Sequence, residues 1–230
     1  MVLADFVTVA LLVALEGLLS ADNAMVLAVL VLGLPKAKQR KALRYGIVGA
    51  FIFRGLAILL AVYLIQLGWV KLIGGGYLLY LVHRHFGGSG SAQQRRAVPP
   101  AQPWLGLSAF WATVVKVELT DIVFAIDSIL VAVAMSPKTW VILTGGILGI
   151  IMMRLVIAQL LALIERFPAL VDGAFVIIAW VAFKLLVEYL HAAGYVALEI
   201  PKWLSLGLIV IIFAIVLLYS LVSEKRGERS

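Results

Sequence analysis

Residues 118–129 read Glu-Leu-Thr-Asp-Ile-Val-Phe-Ala-Ile-Asp-Ser-Ile, so three carboxylates stand inside an apolar run that extends from Trp104 to Ala134. A spanning helix takes about 20 predominantly apolar residues. A charged side chain at the bilayer centre costs about 2.5–3.5 kcal/mol, so such residues normally face the interior of a helix bundle. This stretch therefore predicts a membrane protein whose helices surround a polar interior.

The composition of the whole chain agrees with a membrane location. Of 230 residues, 64% are hydrophobic and 13% are charged, which leaves little material for a separate water-soluble enzyme domain. The chain has no cysteine, which excludes disulfides, thiolate metal sites and cysteine nucleophiles. No Ser/His/Asp set and no His-Glu-x-x-His motif is present, so we expect a protein that is not an enzyme.

Seven apolar runs, bounded by charges or by Gly/Pro clusters, predict an all-α polytopic bundle of about seven transmembrane helices. The third run is short and begins with Gly74-Gly75-Gly76, which predicts an interrupted helix or one that does not cross. The runs are Phe6 to Leu32, Tyr45 to Val70, Lys71 to Phe86, Trp104 to Ala134, Thr139 to Ile164, Ala169 to Leu190, and Trp203 to Val222.

The distribution of basic residues predicts the orientation of these helices. The net charge is +7, and most of the basic residues lie in the connectors that face the cytoplasm if the N-terminus is outside. Only Lys71, Lys138 and Lys202 fall in the opposite connectors. By the positive-inside rule we expect a multi-pass membrane protein with its N-terminus outside and its C-terminus in the cytoplasm. This placement explains the charge without nucleic acid, which we do not expect as a partner.

A polar stretch divides the single membrane domain, residues 1–230, into two similar halves. Residues 87–103 contain Gly, Ser and three prolines, which is typical of a flexible linker. Residues 1–86 and 104–190 then each hold three helices, and residues 201–222 form an additional C-terminal helix. Because three is an odd number, two copies of such a unit are predicted to be inverted in the membrane, as in many secondary transporters.

The repeat is visible in the rare polar residues of the spans. A shift of 105 residues places Glu16 over Asp121, Asp22 over Asp127 and Asn23 over Ser128. A shift of 100 residues then matches Gly46, Gly49 and Arg54 with Gly146, Gly149 and Arg154, and Tyr80 and Arg84 with Trp180 and Lys184. Such coincidences among scarce residues support an internal repeat.

Oxygen-bearing side chains in the first and fourth spans form the predicted metal site. Carboxylate, amide and hydroxyl oxygens without nearby His or Cys suit hard cations such as Mn²⁺, Mg²⁺ or Ca²⁺. Six residues on a straight helix turn by about 240° net, so we hypothesise that the chain unwinds near Asp22 and Asp127 to let the ligands converge. The candidate ligands are Glu16, Asp22, Asn23, Glu118, Asp121, Asp127 and Ser128.

Four basic residues inside the spans are candidate ion-pair or gating residues: Arg54, Arg154, Lys116 and Lys184. Together with the five carboxylates they leave a net charge near −1, which one bound divalent ion inverts. We expect Arg54 and Arg154 to pair with the carboxylates when metal is absent. The alternative is that the carboxylates only form structural salt bridges, and for Lys116 that it extends to the membrane edge.

Two motifs resemble the TerC family of integral membrane proteins: Glu16-Gly-Leu-Leu-Ser20-Ala-Asp22-Asn23-Ala-Met-Val26 and Glu118-Leu-Thr-Asp121-Ile-Val-Phe124-Ala-Ile-Asp127-Ser128-Ile. The stretches 40–46 and 49–54 are also similar to the family, so the resemblance covers roughly residues 10 to 190. One departure is Leu130, where the family commonly has proline.

The resemblance implies export of Mn²⁺ from the bacterial cytoplasm through the acidic motifs of helices 1 and 4. Residues and resemblance together predict a transporter whose partners are the lipid bilayer and a divalent metal ion, with Mn²⁺ as the transported ion. A carrier of Ca²⁺ or another divalent cation is one alternative. Another is a non-transporting membrane partner in metal delivery to secreted proteins. The sequence also leaves a homo-oligomer or a membrane protein partner open.

Overall fold

A computed structural model describes residues 3–19, 21–59, 68–87 and 100–227, without the side chains of residues 18, 19, 21, 22, 58, 59, 127, 130 and 222–227. Within this part of the chain the regular structure is all helical, which confirms the predicted class. The helices are α1 (Leu3–Leu19), α2 (Ala21–Leu32), α3 (Lys36–Leu59), α4 (Trp69–Phe86), α5 (Ala109–Met135), α6 (Thr139–Arg166), α7 (Leu170–Ala192) and α8 (Lys202–Gly227).

Three helices of the described chain are long and apolar enough to cross a membrane: Thr139–Arg166, Leu170–Ala192 and Lys202–Leu221. They correspond to the last three predicted spans. In the described structure the first predicted span comprises α1, before residue 20, and α2, after it. Asp22 lies in the first turn of α2. The total of seven crossings stays a prediction.

The hypothesised unwinding near Asp127 is wrong. The interrupted alternative for the third span is also wrong, whereas its crossing of the membrane stays a prediction. Helix α5 continues through Asp127, because Leu130 keeps the backbone N–H that a proline at this position lacks. Helix α4 continues through Gly74, Gly75 and Gly76. The first two glycines serve packing rather than interruption, since a Cβ at Gly74 would lie 2.7 Å from Val123 and one at Gly75 would lie 3.2 Å from a backbone carbonyl of α7.

The fourth span begins at Ala109 and not at Trp104 as predicted. Trp104 and Leu107 close a tight turn in which the N–H of each donates to the carbonyl of the other, at 3.2 and 2.9 Å. The turn requires φ of +76° at Gly106 and +52° at Leu105, a region that glycine enters without steric cost. These positive φ angles cannot continue a right-handed helix, so α5 starts after them.

Helix α1 packs in parallel against α6. Asp5 accepts hydrogen bonds from Lys138 at 2.7 and 2.9 Å. Farther along both helices, a Cβ at Gly145 would lie 2.9 Å from Leu12. Residue numbers increase along α1 and α6 in the same order from the first contact to the second, so the two helices run in the same direction.

Helix α3 packs in parallel against α5 in the same way. The Tyr45 ring lies 5.3 Å from Trp111, and Gly49 contacts Glu118 farther along. Helices α5 and α6 also contact each other and are joined by residues 136–138 only, so they run antiparallel. Since α1 is parallel to α6, α1 and α5 point in opposite directions.

The remaining helices close the bundle around α2, whose residues Val26, Leu27 and Val31 are fully buried. An apolar helix of this kind that is buried on all sides belongs in the core. Helix α4 packs mainly on α7, while α8 lies outside α7. On α8, Ser205 accepts a hydrogen bond from Trp180 Nε1 at 3.0 Å. Its other side exposes large apolar side chains, among them Ile215, as expected for a helix that faces lipid.

The glycine pair on α4 provides a test of this packing. Gly75 is buried against Leu186 and the Ala182 carbonyl, whereas a Cβ at Gly76 has nothing within 4 Å. We expect Gly75→Leu to destabilise the fold by about 1–3 kcal/mol because it overpacks the contact between α4 and α7. Thermal unfolding in detergent measures this loss, with Gly76→Leu as the matched control. Equal melting temperatures for the two variants would contradict the packing described.

Candidate metal site

Arg54 on α3 forms the most connected polar contact of the described interior. Its Nη2 donates to Glu16 Oε1 on α1 and to Ser128 Oγ on α5, both at 2.8 Å. Its Nη1 donates to the Gly146 carbonyl on α6 at 3.1 Å. The guanidinium therefore joins four helices. Charge-assisted bonds of this length are the strong class of hydrogen bond in proteins.

Two glycines of α6 make room for this group. A Cβ at Gly146 would lie 2.8 Å from Arg54 Cδ, and one at Gly149 would lie 2.5 Å from Glu16 Cγ. Any larger residue would displace the ion pair. Their spacing of three residues places both glycines on one face of α6, so the helix backbone itself approaches the arginine and the carboxylate.

A second acidic and basic group lies between α5 and α6. Arg154 Nη2 on α6 is 3.6 Å from Glu118 Oε1 and 3.9 Å from Asp121 Oδ2, both on α5. Glu118 and Asp121 are three residues apart, and one helical turn therefore brings both carboxylates to the same guanidinium. Glu118 and Arg154 are buried, at 8% and 5% exposed.

This second group is surrounded by glycines of α3. Gly49 is in contact with the Glu118 carboxylate, and a Cβ at Gly46 would lie 2.8 Å from Glu118 Oε1 and 3.2 Å from Arg154. The arrangement resembles that of the first group with α3 and α6 exchanged, except that Glu118 occupies the place expected for Asp121, the residue that the 105-residue shift aligns with Glu16. Glycines of α6 accommodate Arg54 and Glu16, and glycines of α3 accommodate Arg154 and Glu118.

The two groups differ in hydrogen bonding. In the described structure, both carboxylate oxygens of Glu118 and all three guanidinium nitrogens of Arg154 are buried without a hydrogen-bond partner. At 3.6 Å the charges attract, but the distance is too long for a hydrogen bond. A buried ion pair without hydrogen bonds does not recover the cost of its desolvation. The Glu118–Arg154 pair is thus weakly held, whereas the Arg54 contacts are satisfied.

The other predicted site residues are distributed as follows. Asn23 lies in the first turn of α2. The side chains of Asp22 and Asp127 lie outside the described part of the structure. On α5, Lys116 stands over the Trp104 ring at 5.6 Å, and on α7 Lys184 is 3.9 Å from Glu188. Among the described side chains, no three Asp, Glu or His residues lie close enough together to hold a metal ion.

Sequence reasoning missed the role of the glycines. It used Gly46, Gly49, Gly146 and Gly149 to align the halves and not to locate the site. The available signal was the pair of glycines three residues apart, followed by an arginine on the same helix, in both halves. It also missed the buried His85, whose Nε2 lies 2.9 Å from Asp172 Oδ1, because nothing in the sequence pairs these residues.

Comparison with known proteins places the chain among integral membrane proteins. Residues 2–228 match the integral membrane protein TerC family. The chain belongs to the TerC family. No solved structure matches it significantly.

Several relatives of known sequence are similar to this TerC-family chain. The "Uncharacterized membrane protein YceF" of Bacillus subtilis is 42% identical over 220 residues, which are 95% of this chain and 83% of that protein. The "Uncharacterized membrane protein YkoY" of Bacillus subtilis is 40% identical over 76% of this chain and 57% of its own length. The "Putative membrane-bound redox modulator Alx" of Escherichia coli is 28% identical over 85% of this chain and 66% of its own length.

The Arg54 contacts predict a specific response to mutation. Arg54→Gln leaves the Glu16 carboxylate buried without this guanidinium, which typically costs about 3–5 kcal/mol. We expect Glu16→Gln/Arg54→Gln to be more stable than Arg54→Gln, because the double variant leaves no uncompensated charge. Unfolding in detergent measures both, with the exposed Arg40→Gln as control. Equal losses in the single and double variants would contradict an uncompensated Glu16 charge in Arg54→Gln.

Proposed function

We propose that this protein exports Mn²⁺ from the cytoplasm through an acidic site that the first predicted span, α1 and α2, forms with α5. The observation that carries the proposal is the convergence of Glu118 and Asp121 on Arg154 in a buried, weakly bonded group. Two carboxylates facing one guanidinium have a net charge of −1. A divalent cation supplies one more positive charge than the arginine it replaces.

Exchange between metal and arginine is the proposed chemical step. Carboxylate oxygens are the ligands that Mn²⁺ shares with other hard cations. Because Glu118 and Arg154 lack hydrogen bonds in the described structure, separating them breaks no directional bond. Entry of the ion releases Arg154 from the carboxylates, and departure of the ion restores the pair. Asp22, Asn23 and Asp127 are proposed to complete the ligand set, as the family motifs imply.

We further propose that the two halves are inverted repeats that move against each other. Support comes from the opposite directions of α1 and α5 and from the reciprocal glycine contacts, in which α6 packs on α1 and α3 packs on α5. Transporters with inverted repeats place their substrate at the junction of the repeats and alternate access by rocking one part against the other. Arg54 and the Glu118–Arg154 pair both lie at this junction.

The proposed setting is the bacterial inner membrane, with the N-terminus outside and the C-terminus in the cytoplasm. The excess of basic residues in the predicted inner connectors supports this orientation. The name of the Alx relatives refers to redox modulation. A thiol-based redox role has no residue to carry it in this chain, which lacks cysteine, whereas the buried carboxylates suit a metal cation.

Cellular manganese content tests the proposal. Manganese-loaded cells that express the wild type should contain less manganese than cells with empty vector. Glu118→Gln/Asp121→Asn and Asp22→Asn/Asp127→Asn should each restore the vector level, because each removes two anionic ligands. Elemental mass spectrometry at matched membrane abundance measures the difference.

The matched control is Glu165→Gln, which removes a carboxylate that pairs with the exposed Lys36 at 3.1 Å. This variant should export like the wild type. The export proposal is wrong if the wild type leaves cellular manganese at the vector level. The site assignment is wrong if both double variants still lower it.

Selectivity separates manganese export from the alternative of a general divalent carrier. In proteoliposomes that contain the purified chain, Mn²⁺ flux should persist in the presence of equimolar Ca²⁺ or Mg²⁺. Suppression of the Mn²⁺ flux by equimolar Ca²⁺ indicates the alternative carrier. Oxygen ligands distinguish these ions only by cavity size and ligand number.

A further inference from the structure

A large cavity lies between α4 and α5, away from Arg54 and Arg154. Its volume is about 720 Å³, within the range of about 300–1,000 Å³ that is typical of ligand sites. Helices α2 and α7 and residues 100–104 complete its wall. Most of the lining is apolar, and Val70, Ile73, Leu81 and Ile122 represent it. A wall of this kind accommodates hydrocarbon.

Two basic side chains also line the cavity. Arg84 comes from the last turn of α4 and Lys116 from α5. Neither forms an ion pair with a described carboxylate. Two cations in the wall of one cavity attract negatively charged ligands.

Two aromatic side chains line the cavity near these cations. The Trp104 ring lies under Lys116 Nζ at 5.6 Å, and Tyr80 lines the same cavity one helical turn before Arg84. Trp104 and Tyr80 are both exposed. Trp and Tyr are enriched at the depth of lipid headgroups, where one side of the ring is apolar and the other meets water. The cationic end of the cavity therefore fits the headgroup region.

We propose that this cavity binds one anionic phospholipid, with its phosphate between Arg84 and Lys116 and an acyl chain against the apolar wall. Basic pockets between transmembrane helices bind anionic headgroups in this way. A small anion would neutralise the two cations but leave the apolar wall uncovered. The basic linker residues Arg95 and Arg96 have the same sign as the rim and do not complement it. The inference stands independently of the transported ion.

Native mass spectrometry of the full chain in neutral detergent tests the proposal. The chain is titrated with phosphatidylglycerol and with phosphatidylcholine of identical acyl chains. The wild type should bind the anionic lipid more tightly. Arg84→Gln/Lys116→Gln should weaken binding of phosphatidylglycerol by about 30-fold, from about fivefold for each basic residue near the membrane surface. Binding of phosphatidylcholine should change little.

Matched variants keep the result interpretable. Lys38→Gln/Lys41→Gln removes the same charge from exposed positions of α3 and should retain wild-type binding. Arg84→Lys/Lys116→Arg keeps both charges and should retain most of the preference, which separates loss of binding from loss of folding. Ile122→Trp fills the cavity and should weaken both lipids.

Several outcomes would overturn the lipid site. Equal affinity of the wild type for the two lipids would show that the charges of Arg84 and Lys116 do not determine which lipid binds. Unchanged binding in Ile122→Trp would place the lipid outside the cavity. Displacement of phosphatidylglycerol by an equal concentration of glycerol phosphate would identify a small-anion site, and wild-type binding by Arg84→Gln/Lys116→Gln would exclude these two residues.

Discussion

Arg54 is 8% exposed in the bundle interior, and the charge of its guanidinium must be matched there by the surrounding helices. Glu16 supplies the countercharge, while Ser128 and the Gly146 carbonyl accept the remaining hydrogen bonds. Each partner comes from a different helix, so the positions of α1, α3, α5 and α6 depend on one another. In an apolar environment an unsatisfied donor costs more than in water, and this cost ties the four helices to one arrangement.

Much of this arrangement could be predicted from the sequence because it depends on rare residues. Glu16, Arg54, Glu118 and Arg154 stand out in apolar runs, and their pairing follows from the cost of burying charge. The bounds of α6, α7 and α8 follow from hydropathy and from the charges and prolines that flank them. These signals are local, so they can be read without knowledge of which helices touch.

Other features depend on contacts that the sequence does not display. Gly74, Gly75 and Gly76 predicted an interrupted helix or one that does not cross, because glycine has low helix propensity. The observed α4 is continuous, and Gly74 packs on Val123 of α5 while Gly75 packs on α7. The start of α5 was predicted five residues early, because hydropathy does not register the positive φ angles of Leu105 and Gly106. The difference in hydrogen bonding between Arg54 and Arg154 likewise depends on small differences in distance, which the sequence does not show, since a shift of 100 residues aligns the two arginines.

That difference means that the two buried ion pairs do not stabilise the bundle equally. Arg54 has three hydrogen bonds, whereas Arg154 has none in the described structure. Of the two, the Arg54 group is the stronger contact between helices, because its separation breaks three hydrogen bonds. Separation of Arg154 from Glu118 breaks none that the described structure contains. Loosening of the bundle interior therefore begins between Arg154 and Glu118.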